Sequence, residues 1–529
     1  MPQFSDWQNP AKPHPDLVYG DNVIATSEPH ATQAGLEVFR KGGNAVDAAL
    51  AAAITLTVTE PCSNGIGSDG FSIIANEGKL HGLNASGKSP KSWDRDYFKQ
   101  FDSMPKQGWD TVTTPGAVSQ WVELHKRFGS RPFQELFESA IGHARKGFPI
   151  GAKVASGFRA ARKTFAEFPE FQRTFLPDGF EPQAGSVFKN PAQADTLQEI
   201  ADTYGDSFYR GSLAKKISNH ASATGGWLSE DDLESHEAFW TDPISIDYRG
   251  YRIHEIPPNG QGLVALIALG ILQEFPLGKW DPDSPDSIHV QIEAIKIGFA
   301  EGFQHICDPE AWNPKAYQVL KSDYLKDRAQ SISMKFASSP EATHFQDHGT
   351  VYLSAADKAG TMISLIQSNY MGFGSGIVVP DTGISLQNRG SGFSLTPGHP
   401  NELAPGKRPF HTIIPAMVTQ GSDPLFSFGV MGGHMQPQGH VQVLSRILDS
   451  EWNPQASSNA PRWMVTPDFE IVFEEGFDPL VIEELKHRGH RVTSSDDPGI
   501  YGGHQGVFKL SSGYCGSSDH RKDGFAGAV

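Results

Sequence analysis

A helix that is apolar on every side has no solvent face and folds only where other protein covers it all round. Ala45 to Val58 has that character, an alanine-rich stretch whose hydrophobic surface is broken only by Asp47, Thr55 and Thr57. A helix of this kind demands layers on both sides of it, and a chain of 529 residues can supply them. At roughly 100 to 200 residues per domain, that length fits two to four domains or one large layered unit. The longest apolar run, Gly262 to Leu272, falls far short of the roughly 20 residues that cross a bilayer. A soluble protein without a membrane partner is therefore expected.

Around the buried helix the first half reads as mainly helical. A helix is expected over Pro29 to Lys41, capped by Ser27 and stopped by Gly42 and Gly43, with others at Gly116 to Arg127, Phe133 to Lys146, Leu263 to Glu274 and Ser287 to Glu301. Gly70 to Ala75 reads as one of a few short strands. From about residue 350 the pattern changes to β-branched runs divided by turn signals. Val351 to Ala356 and Thr361 to Gln367 flank Asp357-Lys358-Ala359-Gly360 as one hairpin, and Gly376 to Val379 with Ile384 to Gln387 forms another. Strands at Ile413 to Val418 and Leu425 to Val430 and helices at Val441 to Leu448 and Pro479 to Arg488 follow. Ser331 to Gly349 is polar and aperiodic, a loop that runs straight into the first strand of the expected antiparallel sheet.

Lys plus Arg number 44 against 61 Asp plus Glu, a net charge of −17 that does not suit a nucleic-acid partner. Hydrophobic residues at 38% exclude a disordered chain. Cys62, Cys307 and Cys515 lack CxxC spacing, so neither a disulfide framework nor a thiolate zinc site is expected. With a proline-rich start that carries no apolar run, they point to a cytoplasmic protein.

Several segments could carry chemistry. His344 and His348 stand at i and i+4, a metal-ligand spacing if helical, but without helical context or a HExxH glutamate; no metal is expected. Gly372-Phe373-Gly374-Ser375-Gly376 lacks the lysine of a phosphate loop and reads as a tight turn beside a pocket. Gly432-Gly433-His434 lies between a strand and a helix, where backbone N–H groups could face an anion. His434 and His440 are as readily structural as functional. Gly349-Thr350, where loop meets sheet, is the sharper feature. A threonine hydroxyl needs a base, and a free α-amino group on the same residue is one solution, provided the chain is broken ahead of Thr350.

Taken in order, several segments resemble the γ-glutamyltransferase (γ-glutamyl transpeptidase) family of N-terminal nucleophile hydrolases. They are Lys41-Gly42-Gly43-Asn44-Ala45-Val46-Asp47-Ala48-Ala49, Glu60-Pro61, Thr114-Pro115-Gly116, Glu293-Ala294 with Lys296, Asp308-Pro309, residues 349–357, residues 373–388, Lys407-Arg408-Pro409, Gly432-Gly433, Asn459-Ala460-Pro461-Arg462 and Ser518-Asp519 with Arg521. The resemblance implies an α+β fold, a four-layer αββα sandwich made as a proenzyme. It implies self-cleavage between Gly349 and Thr350 into a helix-rich subunit 1–349 and a small subunit 350–529, which stay associated; pairing of two such heterodimers is left open. It places the nucleophile at Thr350, a supporting hydroxyl at Ser368 and the oxyanion-hole amides at Gly432 and Gly433. No cofactor is implied. The partners are a small-molecule amide and water or an amine acceptor.

The substrate pocket departs from the family pattern. Ser86-Gly87-Lys88-Ser89-Pro90 stands where transpeptidases carry an Arg-Glu pair for the substrate α-carboxylate, and Gly392 stands where an acid pairs with the α-ammonium. Tyr370 replaces a common asparagine, Arg389 a glutamine and His411-Thr412 a Ser-Ser pair; His434 adjoins them. The loop from Phe393 to Lys407 is shorter than in members with an aromatic lid. The expectation is an amidohydrolase or acyltransferase for γ-glutamyl or related carboxylate-bearing acyl groups, with Arg389 as carboxylate donor. Alternatives are an acid-amide hydrolase, such as an oxamate amidohydrolase or a glutaryl (cephalosporin) acylase, and a non-catalytic binding homologue.

Overall fold

The structure, a computed structural model, describes residues 16–338 and 349–529. Two seven-stranded sheets lie at its centre. One runs in the order Val18–Gly20, Tyr514–Ser518, Gly503–Lys509, Asp423–Met431, Ala416–Gln420, Tyr251–Glu255 and Ile244–Tyr248. The other runs Phe525–Ala528, Val23–Thr26, Val351–Ala356, Met362–Ser368, Asp69–Asn76, Lys79–Asn84 and Phe239–Thr241. All neighbouring strands of both sheets pair antiparallel.

Three hydrophobic layers explain the stacking. Val23, Phe71, Ile73, Tyr352, Ile366, Met417 and Val507 fill the space between the sheets. The outer face of the second sheet packs Ile74, Leu353 and Leu365 against Ala49, Ile54, Trp121 and Phe137. The outer face of the first packs Ile253, Val418 and Phe428 against Leu266, Ile292 and Leu444. This is the expected αββα sandwich, because each sheet buries both faces and each buried side chain of Leu or Ile size contributes about 1.5–3 kcal/mol.

The helix Ala45–Thr59 is buried at every residue, as its sequence requires. Asn44 caps it, accepting from Val46 N and Asp47 N, while Asp47 accepts from Asn44 N. Asp357, in the turn after Val351–Ala356, adds an anion at the helix N-terminus by accepting from Ala45 N at 2.7 Å. The helix Pro29–Arg40 is capped by Glu28 rather than Ser27: Glu28 Oε2 accepts from Ala31 N, and Ser27 Oγ donates to Glu60 instead.

Other expectations shift at their edges. The segment Phe133 to Lys146 divides into a 3-10 turn, Phe133–Phe137, and a helix, Glu138–Lys146. The helix begun at Ser287 runs over Pro285–His305, and Ile413 to Val418 becomes the strand Ala416–Gln420. The strands are also less segregated than the sequence suggested, since both sheets draw strands from before residue 260. No helix among the described residues is long and apolar enough to cross a membrane.

Replacing Asp357 by Ala removes the one carboxylate whose Oδ2 accepts from Ala45 N and whose Oδ1 accepts from Ala359 N and Thr361 N. The expected loss is about 1–3 kcal/mol, read as a lower thermal midpoint against the parent protein.

Candidate active site

Thr350 immediately precedes the strand Val351–Ala356, whose first residue pairs with Gln367 on one side while its last three pair with Val23, Ile24 and Ala25 on the other. Its position is fixed by two ladders, and it is 2% exposed. Thr350 Oγ1 lies 3.1 Å from Ser368 Oγ, at the end of the neighbouring strand. Ser368 Oγ in turn donates to Gly349 O at 3.1 Å and accepts from Tyr370 N at 2.8 Å. One hydrogen on each hydroxyl then gives a directed chain: Thr350 donates to Ser368, and Ser368 donates to the carbonyl of the Gly349–Thr350 bond. A Cβ on Gly349 would stand 3.3 Å from Cys62 O and 3.5 Å from Ser63 Oγ. Ser63 and Ser27 both donate to Glu60, which burial pushes up to about 7.

Gly432 and Gly433 form the turn between Asp423–Met431 and the helix Met435–Leu448. Their φ values of 129° and 57° favour glycine, and a Cβ on Gly432 would fall 2.9 Å from Gly502 Cα. Across the sandwich Ser354 bonds to Ser427 and the Tyr352 ring covers Gly429, so the strand that follows Thr350 packs against the strand that ends at Met431. Gln261 fixes this turn, donating to Gly433 O at 2.9 Å and to Thr412 O at 2.5 Å while its Oε1 meets His434 Nδ1 at 3.1 Å. His434 is stacked against Phe410, with ring centroids 5.7 Å apart. His440 is structural, its Nδ1 2.7 Å from buried Glu255.

Beyond Ser368 the chain turns through Tyr370 (φ 73°) and lays that ring under the Arg389 guanidinium, 4.2 Å from its centroid. Arg389 is fully buried. Its Nη1 donates to Thr412 Oγ1 at 2.9 Å, while Nε and Nη2 meet no acceptor among the described residues. The acid beside it is Asp69, with Oδ2 3.9 Å from Arg389 Nε and 2.9 Å from His411 Nε2. Burial outweighs their attraction: Asp69 is raised to about 7 and Arg389 lowered to about 10. His411 is held well below its usual range by burial and by Arg389, so it is neutral.

Ser86-Gly87-Lys88 sends no cation toward Thr350. Lys88 turns into a separate cavity of about 370 Å³, with Lys91, Asp232, Glu310 and Arg408, and pairs with Glu310 at 2.6 Å. The candidate metal residues His344 and His348 lie outside the described residues. Among the described ones, His289, Glu293 and His490 bring ligand atoms within 4.8 Å. That cluster is closed on itself: His289 Nδ1 meets His490 Nε2 at 2.8 Å, and Glu293 pairs with buried Lys296 at 2.8 Å. Glu293 and Lys296 also hold Ser338 N and O, which anchors the chain ahead of the segment leading to Thr350.

The structure thus brings Thr350, Ser368, Tyr370, Arg389, His411 and Thr412 into one contiguous site and sets Gly432, Gly433 and His434 beside it. Sequence reasoning missed Asp69, Gln261 and Glu60. Asp69 had a visible signal, a lone acid in the glycine-rich entry to a buried strand, Gly65-Ile66-Gly67-Ser68-Asp69-Gly70.

Two antiparallel sheets between helical layers, with a threonine leading into a central strand, define an N-terminal nucleophile hydrolase. The chain belongs to the gamma-glutamyltranspeptidase family, whose model matches residues 31–529, and is an amidohydrolase of this self-processing kind. It is 34% identical to a glutathione hydrolase-like YwrD proenzyme of Bacillus subtilis, over 96% of this chain and 99% of that one. It is also 34% identical to an oxamate amidohydrolase proenzyme of Klebsiella pneumoniae, over 94% and 97%. The solved cephalosporin acylase from Bacillus halodurans superposes with a TM-score of 0.95 at 42% identity, covering 100% of this chain and 99% of that one.

Gln261→Ala frees the Gly433 turn without touching a hydroxyl of the site. A displaced turn is expected to lower kcat by about a hundredfold with a smaller change in KM, measured by steady-state amide hydrolysis.

Proposed function

We propose that the chain cuts itself between Gly349 and Thr350, and that the pieces 1–349 and 350–529 form one enzyme that hydrolyses amides of carboxylate-bearing acids through an acyl-enzyme on Thr350. The observation that carries the reading is the chain Thr350–Ser368–Gly349 O. As Thr350 Oγ1 attacks the Gly349 carbonyl carbon, its proton passes to Ser368, whose own proton goes to the carbonyl oxygen. Collapse hands that proton to the departing nitrogen, breaks the C–N bond and frees the Thr350 α-amino group; water then hydrolyses the ester left on Oγ1, releasing the hydroxyl and the Gly349 carboxylate.

In turnover that amine is the base. It takes the proton of Oγ1 as the hydroxyl attacks the substrate amide and returns it to the departing amine. The Gly432 and Gly433 amides stabilise the tetrahedral oxyanion, a contribution commonly worth a hundredfold or more, on the order of 3–4 kcal/mol. Water then resolves the acyl-enzyme, or an amine acceptor does so in transfer. The chemistry calls on no metal or organic cofactor.

The acyl pocket favours an acid over a γ-glutamyl headgroup. Gly392 offers no counter-ion for an α-ammonium, and Arg389 keeps Nε and Nη2 without acceptors, which suits a carboxylate. The Arg389 side chain, Tyr370 and His411 occupy the pocket themselves, which favours a compact acid amide such as oxamate over a glutaryl amide. The chain is similar both to an oxamate amidohydrolase and to a cephalosporin acylase, so the order of preference rests on the filled pocket. A cytoplasmic setting fits the three free cysteines.

Intact mass tests the cut. Wild type should give two masses, for residues 1–349 and 350–529; Thr350→Ala should stay whole and inactive, and Thr350→Ser should keep part of both. A Thr350→Ala protein that still cuts or turns over amides would sink the reading. Ser368→Ala should slow the cut at least tenfold, since the relay loses its middle member. Arg389→Ala should raise KM for oxamate more than it lowers kcat.

A further inference from the structure

Asp69 lies directly opposite Ser368 in the ladder between Asp69–Asn76 and Met362–Ser368, one strand from the nucleophile. It is fully buried and is the acid paired with Arg389. The two donors that Arg389 leaves unmatched include Nε, the atom nearest Asp69. An acyl carboxylate seated on those donors therefore arrives within a few ångströms of Asp69. Two carboxylates that close together in a dry site do not both stay ionised.

We infer that Asp69 governs which acyl groups the pocket admits: it is neutral whenever an acyl carboxylate sits on Arg389, so where Asp69 is ionised in the empty pocket, binding an acid amide takes up a proton from solvent onto it. The inference rests on the proposed role of Arg389 as the carboxylate's partner.

Among the described residues, no other charge that is not already engaged acts on Asp69. His411 faces Asp69 directly, but it is neutral and serves either protonation state: its Nε2–H donates to the carboxylate, or its bare Nε2 accepts from the carboxylic acid. Arg408 acts from farther off and is already engaged with Ser86 O, Glu237 O and Glu310. Tyr209 shares the field as a neutral phenol, and the Gly87 and Gly116 backbones stand beside the carboxylate. The α-amino group that the cut frees on Thr350 is the remaining titrating neighbour, and it acts on every substrate alike. Burial already raises Asp69 to about 7, so the exchange falls near neutral pH.

The sign follows from the group's position. Below about 7 Asp69 is mostly protonated and the pocket presents Arg389 as a net cation. Above it Asp69⁻ neutralises Arg389, and an incoming anion must first recruit a proton. A neutral acyl group feels neither effect.

The test compares, on cut wild-type enzyme, kcat/KM for an acid amide with that for its uncharged isostere from pH 6 to 9: oxamate against oxamide, and a glutaryl anilide against a pentanoyl anilide. The ratio cancels ionisation of the Thr350 amine. It should be flat at low pH and fall about tenfold per unit above pH 7; in Asp69→Asn it should be flat throughout and exceed wild type at pH 8.5. A pH-independent ratio in wild type overturns the inference, as does an Asp69→Asn enzyme that keeps the wild-type slope. Should Asp69→Asn fail to fold, the wild-type ratio still decides. If cut wild type prefers the neutral isostere at every pH, the proposed role of Arg389 fails, a result distinct from a carboxylate preference that merely lacks pH dependence.

Discussion

Everything at the site depends on the strand Val351–Ala356 being confined on all sides. Its two edges are paired, one face is covered by the helix Ala45–Thr59 and the other by the strand Asp423–Met431. A residue at the mouth of such a strand has almost no freedom left to lose, so its hydroxyl can be held against Ser368 without any residue dedicated to the task. The entropy of positioning is met by the core, which folds regardless of what the threonine does. The glycine turn across the sandwich benefits in the same way, since it closes a strand packed against the first.

The electrostatics of the molecule and of its site differ in kind. A net charge of −17 is carried mainly at the surface, where water screens it. Beside Thr350, Arg389 and Asp69 face each other fully buried, where burial raises Asp69 to about 7 and lowers Arg389 to about 10. A buried pair of this sort contributes little to stability once desolvation is counted. Its value lies in the pocket it defines, which is polar, tight and lined by groups whose charge responds to what enters.

The buried helix and the antiparallel hairpin after residue 350 were legible because their causes are local, a helix apolar all round and β-branched runs with glycines at their ends; the four-layer αββα order came from the family resemblance, since it is set by pairing between distant strands. The roles expected of Thr350, Ser368, Gly432 and Gly433 came from the family resemblance, and the structure sets Thr350 against Ser368. Arg389 was found as a substitution against a known pattern, but its burial and its contact with Thr412 were not, because both are set by packing between distant segments. Asp69 and Gln261 stayed hidden for a related reason. Each acts through partners more than a hundred residues away, Asp69 on Arg389 and His411, Gln261 on Thr412 and Gly433. The Ser27 cap was misassigned since a neighbouring glutamate could reach the same amides and Ser27 had Glu60 to bond.

The strand order of the second sheet carries a further consequence. Reading across it, segments 525–528, 351–356 and 362–368 are interleaved with 23–26 and 69–76, so the two pieces divided at residue 349 are woven through each other by main-chain ladders. Such pieces could not be exchanged between molecules, diluted apart or replaced singly, because parting them would mean dismantling the sheet. A cut in this place would remove a tether while leaving the weave intact, and the two pieces would unfold as one object with two extra chain ends.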